Sequence, residues 1–409
     1  GFDMTSEDKI ILDSASTNEM PQLAEVMPRV VKEYGKSLGG QLKDLVSLCI
    51  GGNKLTIDEY YKMKLFDDAT YSQKDKKAFA GLMKSRRIWM AVSEQNPWHG
   101  FMDDKYACEV LLRGFGLTAT KTLAIIGETY PGGAHNQIVD KESLQGFFSE
   151  AKFPMFGKPV DSNQSLGSAR FLKFDANSNM LSISGDREIS VDQLWDEIAN
   201  KFSGKYLFQE CVESHPVLKS LCGEGLPTIR IVTIDYGNGP EIYRTLIKLT
   251  GKDNVADNFW RKGNMLAPIE TESGKMKPAL TGFGIDGEFV ASHPDTGQAI
   301  EGVQIPHWEN VKEMALSVSK FLDGARLIGF DIAVSKDGPV LVEVNTGPDF
   351  GMLQIAFQEG VLDEKMQAML DDIQHTKKDR MQTNKQNLRN EAAVNNQKMK
   401  QALSLKSAA

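Results

Sequence analysis

Residues 326–347 read RLIGFDIAVSKDGPVLVEVNTG, two apolar runs joined by an Asp-Gly turn. This segment restricts the fold more than any other. With residues 335–339 as the loop, Val334 meets Val340, Ile332 meets Val342 and Phe330 meets Val344. Every apolar residue finds an apolar partner in that register. The same register sets Asp331 opposite Glu343, with Cβ atoms about 4.5–5.5 Å apart. Asn345 follows two residues along on the same face. Three oxygen-bearing side chains thus converge with no basic residue between them. Two carboxylates this close repel unless a cation joins them. Oxygen-only donors suit Mg²⁺ or Mn²⁺, with phosphate oxygens and water completing the shell. The pattern also suits the solvent-facing polar side of an edge hairpin.

A second hairpin lies at residues 228–251, TIRIVTIDYGNGPEIYRTLIKLTG. If Asp235 faces Glu241 across the YGNGP turn, then Arg230, Leu246, Thr228 and Lys248 share a face. Arg230 and Lys248 are then diagonal neighbours, which repel unless an anion sits between them. Two exposed surface cations are the alternative. A third segment is FPMFGKPVDSNQSLGSARFL, residues 153–172. Lys158 ends a short strand, and the small polar loop Asp161–Ser168 follows, with Ser165 and Gly167 in it. Small residues let backbone N–H groups approach phosphate oxygens, although an ordinary loop has the same composition.

Around these pieces the chain changes texture. Residues 20–115 carry apolar residues at helical spacing, with a Thr56–Glu59 capping box opening one helix. Gly51-Gly52-Asn53-Lys54 lacks the flanking residues of a phosphate-binding P-loop and reads as a turn. From about residue 117 short β-rich runs alternate with turns, with helices expected near 190–202 and 309–322. The mixture predicts an α+β fold in two lobes, not a doubly wound sheet. The expected organisation is a helical region at 1–100, a first lobe at 101–212, a second lobe at 213–370 and a polar tail at 371–409. The tail is either a solvated helix or disordered. His293, His99 and His215 are isolated and read as structural or exposed.

Composition narrows the partners. The net charge of −8 over 409 residues argues against nucleic acid as the main partner. The four cysteines form no CxxC pair and no zinc spacing, which predicts reduced, mostly buried thiols. No apolar run reaches about 18 residues, and the first residues lack the pattern of a signal peptide. A cytoplasmic protein with no membrane span is expected.

These segments, in this order, resemble the ATP-grasp superfamily, and within it the sugar-transfer-associated type. The resemblance covers roughly residues 55–360. It is carried by DEYYKMKLFDD, MDDKYACEVLLRGFGL, FGKPVDSNQSLGSA, YLFQECVESHPVL, LPTIRIVTID, VADNF, SHPDTG and FDIAVSKDGPVLVEVNTGPDFG. It implies an ATP-grasp fold, two α+β lobes holding ATP between them. It also implies that Lys105 and Lys158 are the two nucleotide lysines and that Ser165 and Gly167 sit in the phosphate-covering loop. The backbone of Glu210 and Val212 would read the adenine edge, and Glu213 or His215 would bind the ribose. Arg230 and Lys248 would face the γ-phosphate or an acyl phosphate. Asp331, Glu343 and Asn345 would hold Mg²⁺ or Mn²⁺.

The chain departs from the family pattern in three places. Lys248 stands where an arginine is usual, WRKGNML replaces a Gly-Gly segment, and helices replace a Rossmann-like first domain. The activity implied is an ATP- and Mg-dependent ligase. It would activate a small-molecule carboxylate as an acyl phosphate and join it to an amine. A kinase of the same fold acting on a hydroxyl is the alternative, and a non-catalytic nucleotide-binding protein is another.

Overall fold

The computed structural model describes residues 19–127, 136–160, 167–252, 254, 259 and 262–407. Among these residues fourteen strands form two seven-stranded sheets. The first sheet contains β1 (Thr122–Ile126), β2 (Asn136–Ile138), β3 (Met155–Pro159), β4 (Ala169–Asp175), β5 (Met180–Ile183), β6 (Arg187–Ser190) and β7 (Tyr206–Glu210). Its order is β2-β1-β7-β3-β4-β5-β6, with β1–β2 parallel and every other pair antiparallel. The second sheet contains β8 (Thr228–Ile234), β9 (Glu241–Leu249), β10 (Met265–Pro268), β11 (Ala279–Thr281), β12 (Glu288–Val290), β13 (Leu327–Ser335) and β14 (Gly338–Asn345). Its order is β12-β11-β10-β9-β8-β13-β14, antiparallel throughout. The α+β expectation holds.

Alternation along the second sheet separates two faces. Ile229, Ile231, Phe330, Ile332 and Val344 point into a core that includes Val311, Ala315 and Val318 of the helix Trp308–Phe321. The opposite face begins as charged residues and continues as Val232, Leu246 and Leu266. Those three join Val26, Tyr60, Phe79, Phe350 and Met366 in one cluster. The N-terminal helices therefore cap the second sheet instead of standing apart from it. A buried Gln354 fixes the junction. Its amide accepts from the Ala80 N–H at 2.7 Å and donates to the Ala80 carbonyl at 2.9 Å.

Local signals in the helical region were largely realised. The Thr56–Glu59 capping box opens Ile57–Lys62. The long helical pattern at 20–52 splits, because Gly35 takes a left-handed φ of 66° that closes Leu23–Tyr34. Ser37 then caps a new helix, Leu38–Ile50. The polar tail is helical. Glu364–Ser407 buries only Met366, Met369 and Ile373, all near its start. No helix among the described residues is long and apolar enough to cross a membrane. Of the four cysteines, none in a disulfide, Cys108 and Cys222 are buried while Cys49 and Cys211 are half-buried.

Candidate active site

The register of β13 and β14 agrees with the sequence where the charges lie and departs from it near the turn. Phe330 pairs with Val344 and Asp331 with Glu343. Beyond them the pairing shifts, with Ile332 on Leu341 and Ser335 on Gly338. The loop is two residues, not five. Ser335 Oγ accepts from the Asp337 N–H and donates to the Gly338 carbonyl, which tightens it. That turn draws the strands in by one residue, and a bulge at Val342 absorbs the difference. The expected Ile332–Val342 pair is therefore absent, and Val342 lines the cleft instead.

The β8–β9 hairpin behaves in the same way. Arg230 pairs with Leu246 and Thr228 with Lys248, as expected. A shift after Val232 puts Glu241 opposite Ile234, so the Asp235–Glu241 pair does not form.

Because β8 lies beside β13, the two hairpins bring their charges together. Asp331 pairs with Arg230 on one side and with Glu343 on the other. The anion that Arg230 and Lys248 require is the chain's own carboxylate. Arg230 Nε donates to Asp331 Oδ1 at 2.6 Å and Nη2 donates to Oδ2 at 3.1 Å. Lys248 Nζ donates to the same Oδ2 at 3.2 Å. All three are buried. Burial alone would raise the Asp331 pKa, but Arg230 and Lys248 hold it well below the usual carboxylate range. Burial likewise opposes the charge on Arg230, and Asp331 more than restores it. Strand pairing sets Arg230 beside Asp331 on the side away from Glu343, a neighbour that the hairpin alone does not reveal. Lys105, first residue of the helix Lys105–Gly114, stands 3.7 Å from Glu343 Oε1.

Lys105, Lys158, Glu210, Val212, Arg230, Lys248, Asp331, Glu343 and Asn345 all line one cleft of about 840 Å³. Lys158 enters from β3 of the first sheet. Its pKa is lowered, chiefly by burial and also by Lys105, against the pull of Glu343. The Glu210 N–H donates to the Lys121 carbonyl at 2.9 Å. Buried Glu109 accepts from the Thr122 N–H at 2.6 Å, which ties the Lys105 helix to β1.

Two expected residues are elsewhere. Gly167 is buried, and its carbonyl accepts from the Tyr206 hydroxyl at 2.9 Å; it does not line the cleft, though Ser168 and Arg170 do. Glu213 is exposed, bonded to Lys219 at 3.2 Å and not among the lining residues. Ser165 lies outside the described residues. His293 is structural, with its ring bonded to the Thr250 carbonyl and the Asp295 N–H. Sequence reasoning missed Arg170, Gln209 and Cys211, and a whole wall from residues 56–89. Arg170 could have been found, because it stands two residues beyond Ser168 on a strand. The helical wall had no local signal.

The oxygen donors suit a hard cation. Asn345 Nδ2 is buried with no hydrogen-bond partner among the described residues. Turning the amide over presents its oxygen at the same place. No group of three His, Cys, Asp or Glu side chains among the described residues could hold a metal by itself. An ion at Glu343 and Asn345 would therefore complete its shell with other oxygens.

The sugar-transfer associated ATP-grasp family matches this chain over residues 95–369. The chain belongs to that family. Its two-lobed α+β architecture is the ATP-grasp fold, preceded by a helical region that lies mostly before the matched segment. Among solved structures it is similar to D-alanine–D-alanine ligase from Bacillus anthracis, at 16% identity and a TM-score of 0.37, covering 69% of this chain and 70% of that one. It is also similar to biotin carboxylase from Campylobacter jejuni, at 8% identity and a TM-score of 0.41, covering 66% and 47%. No curated protein matches it.

Proposed function

We propose that this ATP-grasp chain is an ATP- and Mg²⁺-dependent ligase that activates a carboxylate and joins it to an amine. One observation carries the reading. Cations from both sheets and from the Lys105 helix converge with Asp331, Glu343 and Asn345 on one cleft. A substrate carboxylate oxygen would attack the γ-phosphorus of ATP and release ADP. The amine nitrogen would then attack the acyl carbon, phosphate would leave, and the nitrogen would give up a proton.

The chain's work is positioning and charge neutralisation. Burial disfavours the charged form of Lys158, so an approaching polyphosphate stabilises that form. Arg230 and Lys248, held in place by Asp331, face the phosphate being transferred. The backbone of Glu210 and Val212 borders the base. Glu343 and Asn345, with Asp331, would hold Mg²⁺, which supplies further neutralisation of the phosphate oxygens.

The test is a screen of carboxylates and amines for ATP-dependent phosphate release, with mass spectrometry of the products. ADP, free phosphate and a condensed product are expected. A phosphorylated product without free phosphate would make the chain a kinase. Glu343→Ala is expected to abolish turnover. Unchanged Mg²⁺-dependent activity in that variant would sink the assignment.

A further inference from the structure

The helix Glu364–Ser407 leaves the body early. Its buried residues, Met366, Met369 and Ile373, all lie near its start. Among the described residues, its last ion pair with the body joins Lys377 to Glu94 at 2.8 Å. Every described residue from 374 onward is exposed. At 1.5 Å per residue, the stretch past Lys377 runs for about 45 Å. Helices draw most of their stability from packing an apolar face, and this stretch packs none.

Its charge is opposite to that of the rest. Residues 374–407 hold eight Lys and Arg against two acids, Asp379 and Glu391, a net charge of +6. The whole chain is −8, which leaves −14 for the remainder. Those acids do not neutralise the helix. Among the described residues no Lys or Arg past Lys377 is paired with an acid, and the field of more distant charges fades over a Debye length of about 8 Å.

The apolar residues gather on one side. With 3.6 residues per turn, Met381, Leu388, Ala392, Met399 and Leu403 fall within about 60° of arc, while Val394 and Leu405 lie off this stripe. The four larger stripe residues are 62–66% exposed. Lys377, Lys378, Lys385, Arg389 and Lys406 stand in or beside the stripe. Gln386, Asn390, Gln397 and Gln401 take the opposite side, with Asp379.

This pattern selects among occupants. A second copy of the helix fits poorly, because the heptad row 385, 392, 399 and 406 holds two lysines and two helices of +6 repel. A nucleic acid takes up the cations but leaves the aliphatic stripe in water. An anionic bilayer surface takes both, with cations at the headgroups and the stripe at the acyl boundary.

We propose that this helix, beyond residue 377, lies on the surface of a bilayer rich in anionic phospholipid. Met381, Leu388, Met399 and Leu403 face the acyl boundary, and the flanking cations meet headgroup phosphates. The attachment is peripheral and reversible, and it holds whatever reaction the cleft performs.

The experiment sediments the full chain with vesicles of equal parts phosphatidylglycerol and phosphatidylcholine, and with vesicles of phosphatidylcholine alone. Partitioning onto the mixed vesicles is expected to be at least about tenfold stronger, and to fall as salt is raised. Lys385→Glu with Arg389→Glu should weaken it about tenfold or more. Leu388→Gln with Met399→Gln leaves the charge alone and should weaken it about fivefold. Both double variants should keep the wild-type unfolding midpoint, since neither touches the body. A wild-type chain that ignores the mixed vesicles at low salt, or binds both kinds equally, overturns the proposal. So does a charge-reversed variant that binds as well as wild type. An apolar-stripe variant with unaltered partitioning would make the helix a general polyanion-binding arm, which overturns the lipid assignment. A chain that is dimeric in solution, and becomes monomeric in the apolar-stripe variant, would give the face to a second copy instead.

Discussion

Two buried charge clusters in this chain look alike and do different things. In the N-terminal helices, Asp44 accepts from Lys36 and Lys76 at 2.9 Å and from the Tyr60 hydroxyl at 2.8 Å. Asp68 joins the same two lysines. Lys76 is wholly buried, and none of these groups lines the cleft. In the second sheet, Asp331 holds Arg230 and Lys248, and this cluster forms the cleft floor. Both place two cations on a buried aspartate. Burial of charge therefore does not mark a site by itself. What separates the two is their surroundings, because the helical cluster is completed by a phenol and a second, exposed carboxylate away from the cleft, whereas the other opens onto the cavity.

That contrast can be broken. The largest effect on stability should come from Lys76→Met, at about 3 kcal/mol, because it removes a wholly buried partner and leaves Lys36 alone to neutralise two carboxylates. Denaturant unfolding would measure it, and MgATP affinity of the folded fraction should not move. A loss under about 1 kcal/mol would remove the structural role given to that cluster. Arg230→Met should do the reverse. Phosphate release should fall about 10²–10³-fold, near 3–4 kcal/mol on the barrier, with a smaller loss of stability, since Lys248 still neutralises Asp331. Equal effects of both variants on activity and stability would erase the distinction.

Acid titration sharpens it further. Burial pushes both Asp44 and Asp331 upward, but their cations win and hold both below the ordinary value of 3.8. As pH falls, the unfolded chain takes up these protons first. The stabilisation is full above about pH 4 and is lost as pH drops through the lower folded values. Asp331→Asn should flatten its share of that acid loss in unfolding measured against pH, leaving the Asp44 share in place. The smallest effect should be Thr56→Ala, about 1 kcal/mol for a lost helix cap. It should shift a single unfolding transition, since the helices and second sheet share a core. Two separated transitions would show that the helical region folds independently.

The site was legible in the sequence where local pattern and pairing coincide. The Asp331–Glu343 and Thr228–Lys248 pairs follow from strand alternation, and they form even though each hairpin closes in a different turn from the expected one, because a register shift offsets it. Glu241 and Ile332 pair differently from the expected register because a bulge adds a residue without changing the apolar pattern on either side of it. Arg230 was read beside Lys248 but not beside Asp331. Those residues are 101 apart in sequence, and nothing local says that β8 lies next to β13. Trp89 was invisible as a site residue, since a tryptophan at helical spacing reads as core.

By itself the sequence determined the element types, the two hairpins and which side chains share a face, because these depend on alternation and local turn chemistry. The order of strands in the second sheet, the neutralisation of Asp331 and the helical wall of the cleft were decided only by the tertiary structure. Each depends on contacts between segments far apart in the chain, and the energy that selects them is burial of the second sheet's apolar face beneath the N-terminal helices.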